Sequence, residues 1–143
     1  MAAKFKPDEY HTLTPFTTVS GADGFVEFLK EAFGADVTEM MRMPDGRIAH
    51  AEARIGDSLL MLGDGAPMPI ALYVYLPDAD GAYRSALRAG ATSHQEPAAQ
   101  MWGDRQAAVK DSWGNMWFLA THEEDVSPEE MEKRMAAAAA AQQ

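Results

Sequence analysis

A chain of 143 residues and 15.6 kDa has room for one domain or two small fused modules, and enough length to bury a core. Its 22 acidic side chains against 12 basic ones give a formal charge of −10, a field that repels phosphate backbones and argues against nucleic acid as a partner. The lack of cysteine excludes disulfides, thiolate metal sites and cysteine nucleophiles. The opening MAAKFKPDEY has no apolar signal core and no stretch reaches membrane-spanning length, so the expected location is the cytoplasm, away from membranes.

The first strand is expected over residues 12–19, rich in Thr, Phe and Val. Ser20 reads as an N-cap, and Phe25, Phe28, Leu29, Ala32 and Phe33 repeat at helical spacing up to Gly34, which predicts a helix over residues 21–33. Residues 37–43, the Pro44-Asp45-Gly46 turn, residues 47–55, the Gly56-Asp57 turn and residues 58–62 read as a three-strand meander. Residues 66–69, with two prolines, read as a linker.

The pattern then restarts. Residues 70–76 are a dense apolar strand, and Asp78 caps a helix running through Ala89 whose inner face holds Tyr83, Ala86 and Leu87. Residues 91–93, 105–110 and 115–121 supply three more strands, with an irregular connection over 94–103. The letters repeat as well: Ala22-Asp23-Gly24-Phe25 returns as Ala79-Asp80-Gly81-Ala82-Tyr83, and Gly34-Ala35 as Gly90-Ala91, an offset of about 56 residues. The expectation is one βαβββ unit used twice, module one over about 12–64 and module two over about 70–122, an α+β fold. Ser127-Pro128-Glu129-Glu130 is a capping box with Pro at N1, opening an Ala-rich tail helix over about 127–140.

With this order in place, the segment from Arg47 to Ser58 (RIAHAEARIGDS), the loop Trp102-Gly103-Asp104-Arg105 and the ending Gly114-Asn115-Met116-Trp117 with Ala120 to Ser127 resemble the PhnB-like branch of the vicinal oxygen chelate superfamily, the glyoxalase, bleomycin resistance and dioxygenase group. The resemblance covers about residues 13–135. It implies two modules whose curved mixed sheets form a cup around a small ligand, commonly in a homodimer. It implies no single reaction, because the fold carries lyases, epimerases, dioxygenases and drug-sequestering proteins.

The metal-using members of the group place His, Gln or Glu ligands on the first and last strand of each module. Carried over, those places hold Thr14, Met61, Ala71 and Phe118, a set poorly matched to a hard divalent ion, so neither a metal nor another cofactor is expected. The remaining polar constellation is His50 and Glu52, two apart on one strand face, with Arg54 continuing the row and Ala49, Ala51, Ala53 and Ile55 opposite. Inside a cup, Glu52 would serve as general base and His50 as its acid partner; on a solvated face the same row would make ordinary cross-strand pairs. Trp102 and Arg105 would line a ligand by stacking and by anchoring an anion, with Gly103 as a hinge, or Asp104 would hold a backbone amide and Trp102 cover a module edge. Phe16, Tyr73, Tyr75, Trp117 and Phe118 serve a pocket or the core, depending on which alternate residues face inward. Trp113 sits in a turn and would project towards a pocket or a partner. His122 would pair with Glu123, Glu124 or Asp125, and Met40, Met41, Met43 and Met61 would fill gaps in the core.

Two functions follow as expectations: a metal-free protein that binds or sequesters a small aromatic or carbonyl-bearing ligand, or a cofactor-independent isomerase or lyase that abstracts a proton with Glu52. A metal-dependent lyase or dioxygenase is disfavoured by the four carried-over positions.

Overall fold

The computed structural model describes residues 2–142, without the side chain of Met40, so the packing expected of Met40 lies outside the described residues. The elements run β1 (Phe16–Val19), α1 (Ala22–Phe33), β2 (Asp36–Arg42), β3 (Ile48–Ile55), β4 (Ser58–Asp64), then β5 (Ala71–Tyr75), α2 (Ala79–Arg88), β6 (Thr92–Ala99), β7 (Asp104–Lys110), β8 (Met116–His122) and the tail helix α3 (Pro128–Ala141). Two four-stranded mixed sheets repeat one topology, β1-β4-β3-β2 and β5-β8-β7-β6, each with one parallel pair and two antiparallel pairs. This is the duplicated βαβββ fold.

Each helix covers one face of its sheet because its apolar residues recur on one side. Phe25, Phe28, Leu29 and Ala32 of α1 meet Ala51, Ala53, Leu60 and Leu62 of the first sheet. The same cluster continues into Ala86 of α2 and into Val109, Trp117 and Leu119 of the second sheet, so the helix-bearing faces of both sheets share one core. Full burial of each large apolar side chain contributes about 1.5–3 kcal/mol. Four aromatic contacts join the modules directly: Phe33 lies 4.6 Å from Trp117, Phe25 meets the Trp113 ring edge-on at 5.2 Å, and Phe28 lies 6.0 Å from Trp113 and 6.4 Å from Trp117. The Trp113 indole N–H donates to the carbonyl of Ser20, 2.9 Å away, which ties the β7–β8 turn to the start of α1.

The ends of α1 and α2 are built differently. Gly21, at φ 85°, stands at the N-cap of α1 without a side-chain cap, so Ser20 does not take that place; instead the Asp64 carboxylate accepts the Gly21 and Ala22 amides from the end of β4. Asp78 caps α2 as expected, accepting from the Gly81 amide at 3.0 Å. Ser127 accepts from the Glu130 amide at 3.1 Å, while the Glu130 carboxylate goes to Arg134 rather than closing a reciprocal box. Residues 94–99, read from sequence as an irregular connection, continue β6 to Ala99; Pro97 is tolerated because β6 is an edge strand and its register shifts between Gln95 and Ala98. Among the described residues no helix is long and apolar enough to cross a membrane.

Candidate functional site

Strand alternation decides what each sheet shows on the side its helix does not cover. In the second sheet, Leu72, Val74, Trp117, Leu119, Ala107 and Val109 turn to the helices. The opposite parity, Tyr73 and Tyr75 of β5, Phe118 and His122 of β8 and Asp104 of β7, forms the helix-free face. Tyr73 is 43% exposed and Tyr75 63%, and neighbouring Trp102 is 42% exposed. The Tyr73 ring stacks nearly parallel to Phe118, with centroids 6.3 Å apart, and lies 5.3 Å from the Tyr75 ring.

Asp104 organises this face. Its residue is only 2% exposed, yet it stands directly opposite His122 in the ladder and beneath the two tyrosines. One carboxylate oxygen accepts from the Tyr73 hydroxyl at 2.6 Å, the Tyr75 hydroxyl at 3.1 Å and the Trp102 indole N–H at 3.1 Å. The other oxygen meets His122 Nδ1 at 2.8 Å, and His122 Nε2 meets Asp125 at 2.7 Å. Burial alone would raise the Asp104 carboxyl, but the donors, Tyr73 first, outweigh it and hold it below the usual carboxylate range. Burial and the bond to Asp104 push the Tyr73 phenol up to about 12. His122 is raised as well, by Asp125 and then Asp104. The result is a set of aromatic rings pinned at their polar tips with their faces left in solvent.

Beside them a cleft of about 380 Å3 opens between the β3–β4 hairpin and β5, with Ile55, Leu59, Leu72 and Trp117 in its wall and Tyr73 and Tyr75 at its edge. Gly103 fixes the loop at one end of the face. At φ 100° its carbonyl accepts the amides of Glu123 and Glu124, and a Cβ there would stand 2.1 Å from the Glu124 carbonyl oxygen. It is a packed crossing rather than a hinge.

The first sheet is polar on the corresponding side. His50, Glu52 and Arg54 alternate with the buried Ala51 and Ala53, so the row faces away from the core, with Met61 directly opposite Glu52 and Phe16 opposite Met61. Glu9 and Tyr10, from the segment that precedes β1, reach this row. The Tyr10 hydroxyl donates to the Glu52 carboxylate, and Arg54 is 3.5 Å from Glu9. Burial, then the bond to Glu52, raises the Tyr10 phenol to about 12.

The residues singled out from sequence therefore separate. Trp102, Tyr75 and Phe118 share the helix-free face of module two, and Glu52, His50 and Phe16 that of module one. Arg105 falls on the other parity, where its guanidinium is held by both carboxylate oxygens of Asp80 at 2.7 and 2.9 Å on the first turn of α2. Trp117 is 1% exposed, its indole N–H donates to the buried Asp111 and its ring also borders the cleft, while Trp113 points into module one with its indole N–H on Ser20. Met41 and Met43 are exposed rather than core residues. Asp104 is the residue whose role sequence reasoning missed. Its one signal was parity, because it sits two positions before Gln106 on the strand face opposite Ala107 and Val109.

The positions carried over for a metal are testable against this geometry. Met61, Ala71 and Phe118 do lie on helix-free faces, and Thr14 precedes β1 by two residues, but a thioether, a methyl and a phenyl ring offer no set of hard donors. Among the described residues no group of three or more His, Asp or Glu is placed to hold an ion. The residues present do not fit the group.

The repeated topology and the two helix-free faces define a protein of the duplicated βαβββ class. Residues 11–119 match the family model described as the Glyoxalase/Bleomycin resistance protein/Dioxygenase superfamily, and the chain belongs to that superfamily. It is 31% identical over 140 residues to an uncharacterized protein of Mycobacterium bovis, with 86% of this chain and 91% of that protein covered. Among solved structures it resembles TioX from Micromonospora sp. ML1 (TM-score 0.66, 24% identity, 78% of this chain and 98% of that one) and protein PA1353 from Pseudomonas aeruginosa (TM-score 0.67, 14% identity, 80% and 99%). At these identities the structural likeness shows the fold.

Proposed function

We propose that this chain is a small-molecule-binding protein of the PhnB-like branch that works without a metal in the cytoplasm, and that it holds a flat aromatic or conjugated carbonyl ligand against Tyr73, Tyr75, Phe118 and Trp102. The observation that carries the reading is the Asp104 hub, which fixes the rings by their polar ends and leaves their faces in water. Solvated aromatic surface is costly to keep unless something covers it. The adjoining cleft gives an apolar substituent room beside the stacked ring. The poor donor set at Met61, Ala71 and Phe118 supports binding rather than metal chemistry. A homodimer belongs to the same proposal: the helix-bearing faces are already used within the chain, so a second copy would approach from the helix-free side and close over the bound ligand.

Trp102 fluorescence and thermal shift with a panel of flat aromatic acids and quinones test it. Ligand is expected to quench the indole and raise Tm, and Tyr73→Ala with Tyr75→Ala is expected to weaken binding about tenfold or more, a loss of about 1.4 kcal/mol or above. Unchanged affinity in that double variant, or a stoichiometric tightly held metal in the purified protein, would sink the reading. Sedimentation equilibrium checks the dimer.

A further inference from the structure

The helix-free face of module one carries a site of its own, independent of the aromatic face of module two. Glu52 sits in the middle of β3, between Thr38 on β2 and Met61 on β4, with its carboxylate turned away from the core. What lies on it is a phenol: the Tyr10 hydroxyl donates to Glu52 from a segment without regular secondary structure. That segment is held by little else. Glu9 reaches Arg54 at 3.5 Å, and the Lys6 ammonium turns back to the carbonyl of Tyr10 at 2.6 Å, stabilising the segment's own bend rather than its attachment to the sheet. A depression of about 340 Å3 remains beside the ring, bordered by Phe5, His11, Thr14 and Met61. A carboxylate beside the Met61 thioether, capped by a tethered phenol, has the chemistry of a phenol-binding site occupied by the chain itself.

We infer that the Glu52 face is a binding site for a free phenolic ligand, and that Tyr10 is its resident stand-in. The ligand donates its hydroxyl to Glu52 and lays its ring towards Met61, displacing residues 4–12. An intramolecular occupant lowers the apparent affinity by the fraction of molecules in which the site is vacant. A short flexible tether supplies an effective concentration in the millimolar range, so only ligands better than tyrosine itself enter the intact protein.

The experiment uses the full chain and p-cresol, the side-chain analogue of tyrosine, with 4-methylanisole as the probe lacking the donor, read by titration of amide NMR shifts. Tyr10→Ala is expected to tighten p-cresol binding about tenfold over wild type, with shifts centred on β3 and β4, while 4-methylanisole gains nothing. Tyr10→Ala combined with Glu52→Ala is expected to lose the gain. Equal p-cresol affinity in wild type and Tyr10→Ala, an equal gain for 4-methylanisole, or a gain on Tyr10→Ala that is read on β5 and β8 and not on β3 and β4 overturns the inference. Tyr73→Ala leaves the β3 and β4 shifts unchanged and alters those on β5 and β8, so failure of the module-two reading and failure of this one are told apart. A folded Tyr10→Phe variant serves where Tyr10→Ala is unstable; it keeps the ring, drops the hydroxyl and must release p-cresol binding in the same direction.

Discussion

The two helix-free faces come from the same topology and have opposite constructions. Module two ties its aromatic residues inward through one buried carboxylate, so the face is rigid and its rings stay uncovered. Module one presents a half-exposed polar row and covers it with a loosely held segment ending on Tyr10. After duplication, the conserved element is the scaffold of strands and helix, while the exposed parity of each sheet is free to take on separate chemistry. One carboxylate is structural because it is buried beneath four donors; the other is available because it has one donor that can leave.

That contrast can be broken at Asp104 first. Asp104→Ala is expected to cost about 2–4 kcal/mol in denaturant unfolding, since hydrogen bonds to a charged acceptor are worth about 1.5–3 kcal/mol each and are not additive. A cost below about 1 kcal/mol would mean that the rings are held by stacking alone. A smaller effect concerns His122. Its raised pKa means that the imidazolium contributes stability that is fully present below the ordinary value of 6.5 and is lost as pH rises through the higher folded value. Ring NMR titration is expected to place His122 above 6.5, and Asp125→Asn or Asp104→Asn to bring it down. An unshifted His122 would break the link between β8 and the hub. The smallest effect is at module one, where Glu52→Gln is expected to change unfolding free energy by less than about 0.5 kcal/mol, as for an exposed site. A large loss there would make the two carboxylates alike.

The fold was legible because its signals are periodic. Phe25, Phe28, Leu29 and Ala32 mark one helical stripe, Gly34 ends it in the left-handed region at φ 64°, and the restart after Pro69 repeats the order. The row His50, Glu52, Arg54 was legible too, because the alternate positions are alanines that only a packed face would use. Elsewhere the alternation fails as a guide. On β8 both parities are apolar, so nothing in Met116 to Ala120 says that Trp117 is buried and Phe118 faces outward. On β7 the charged neighbours Asp104 and Arg105 fall on opposite faces; the choice between them is made by Asp80, 25 positions away, which takes the arginine. Distant partners, not local pattern, settle such cases.

Trp113 has a consequence for how the halves live together. Its ring rests on Phe25 and its N–H is anchored to Ser20, so the second repeat carries part of the first repeat's interior on its own turn. The duplicated units are thereby welded: neither can open without stripping an indole out of its neighbour, and calorimetry is expected to show one cooperative transition rather than two.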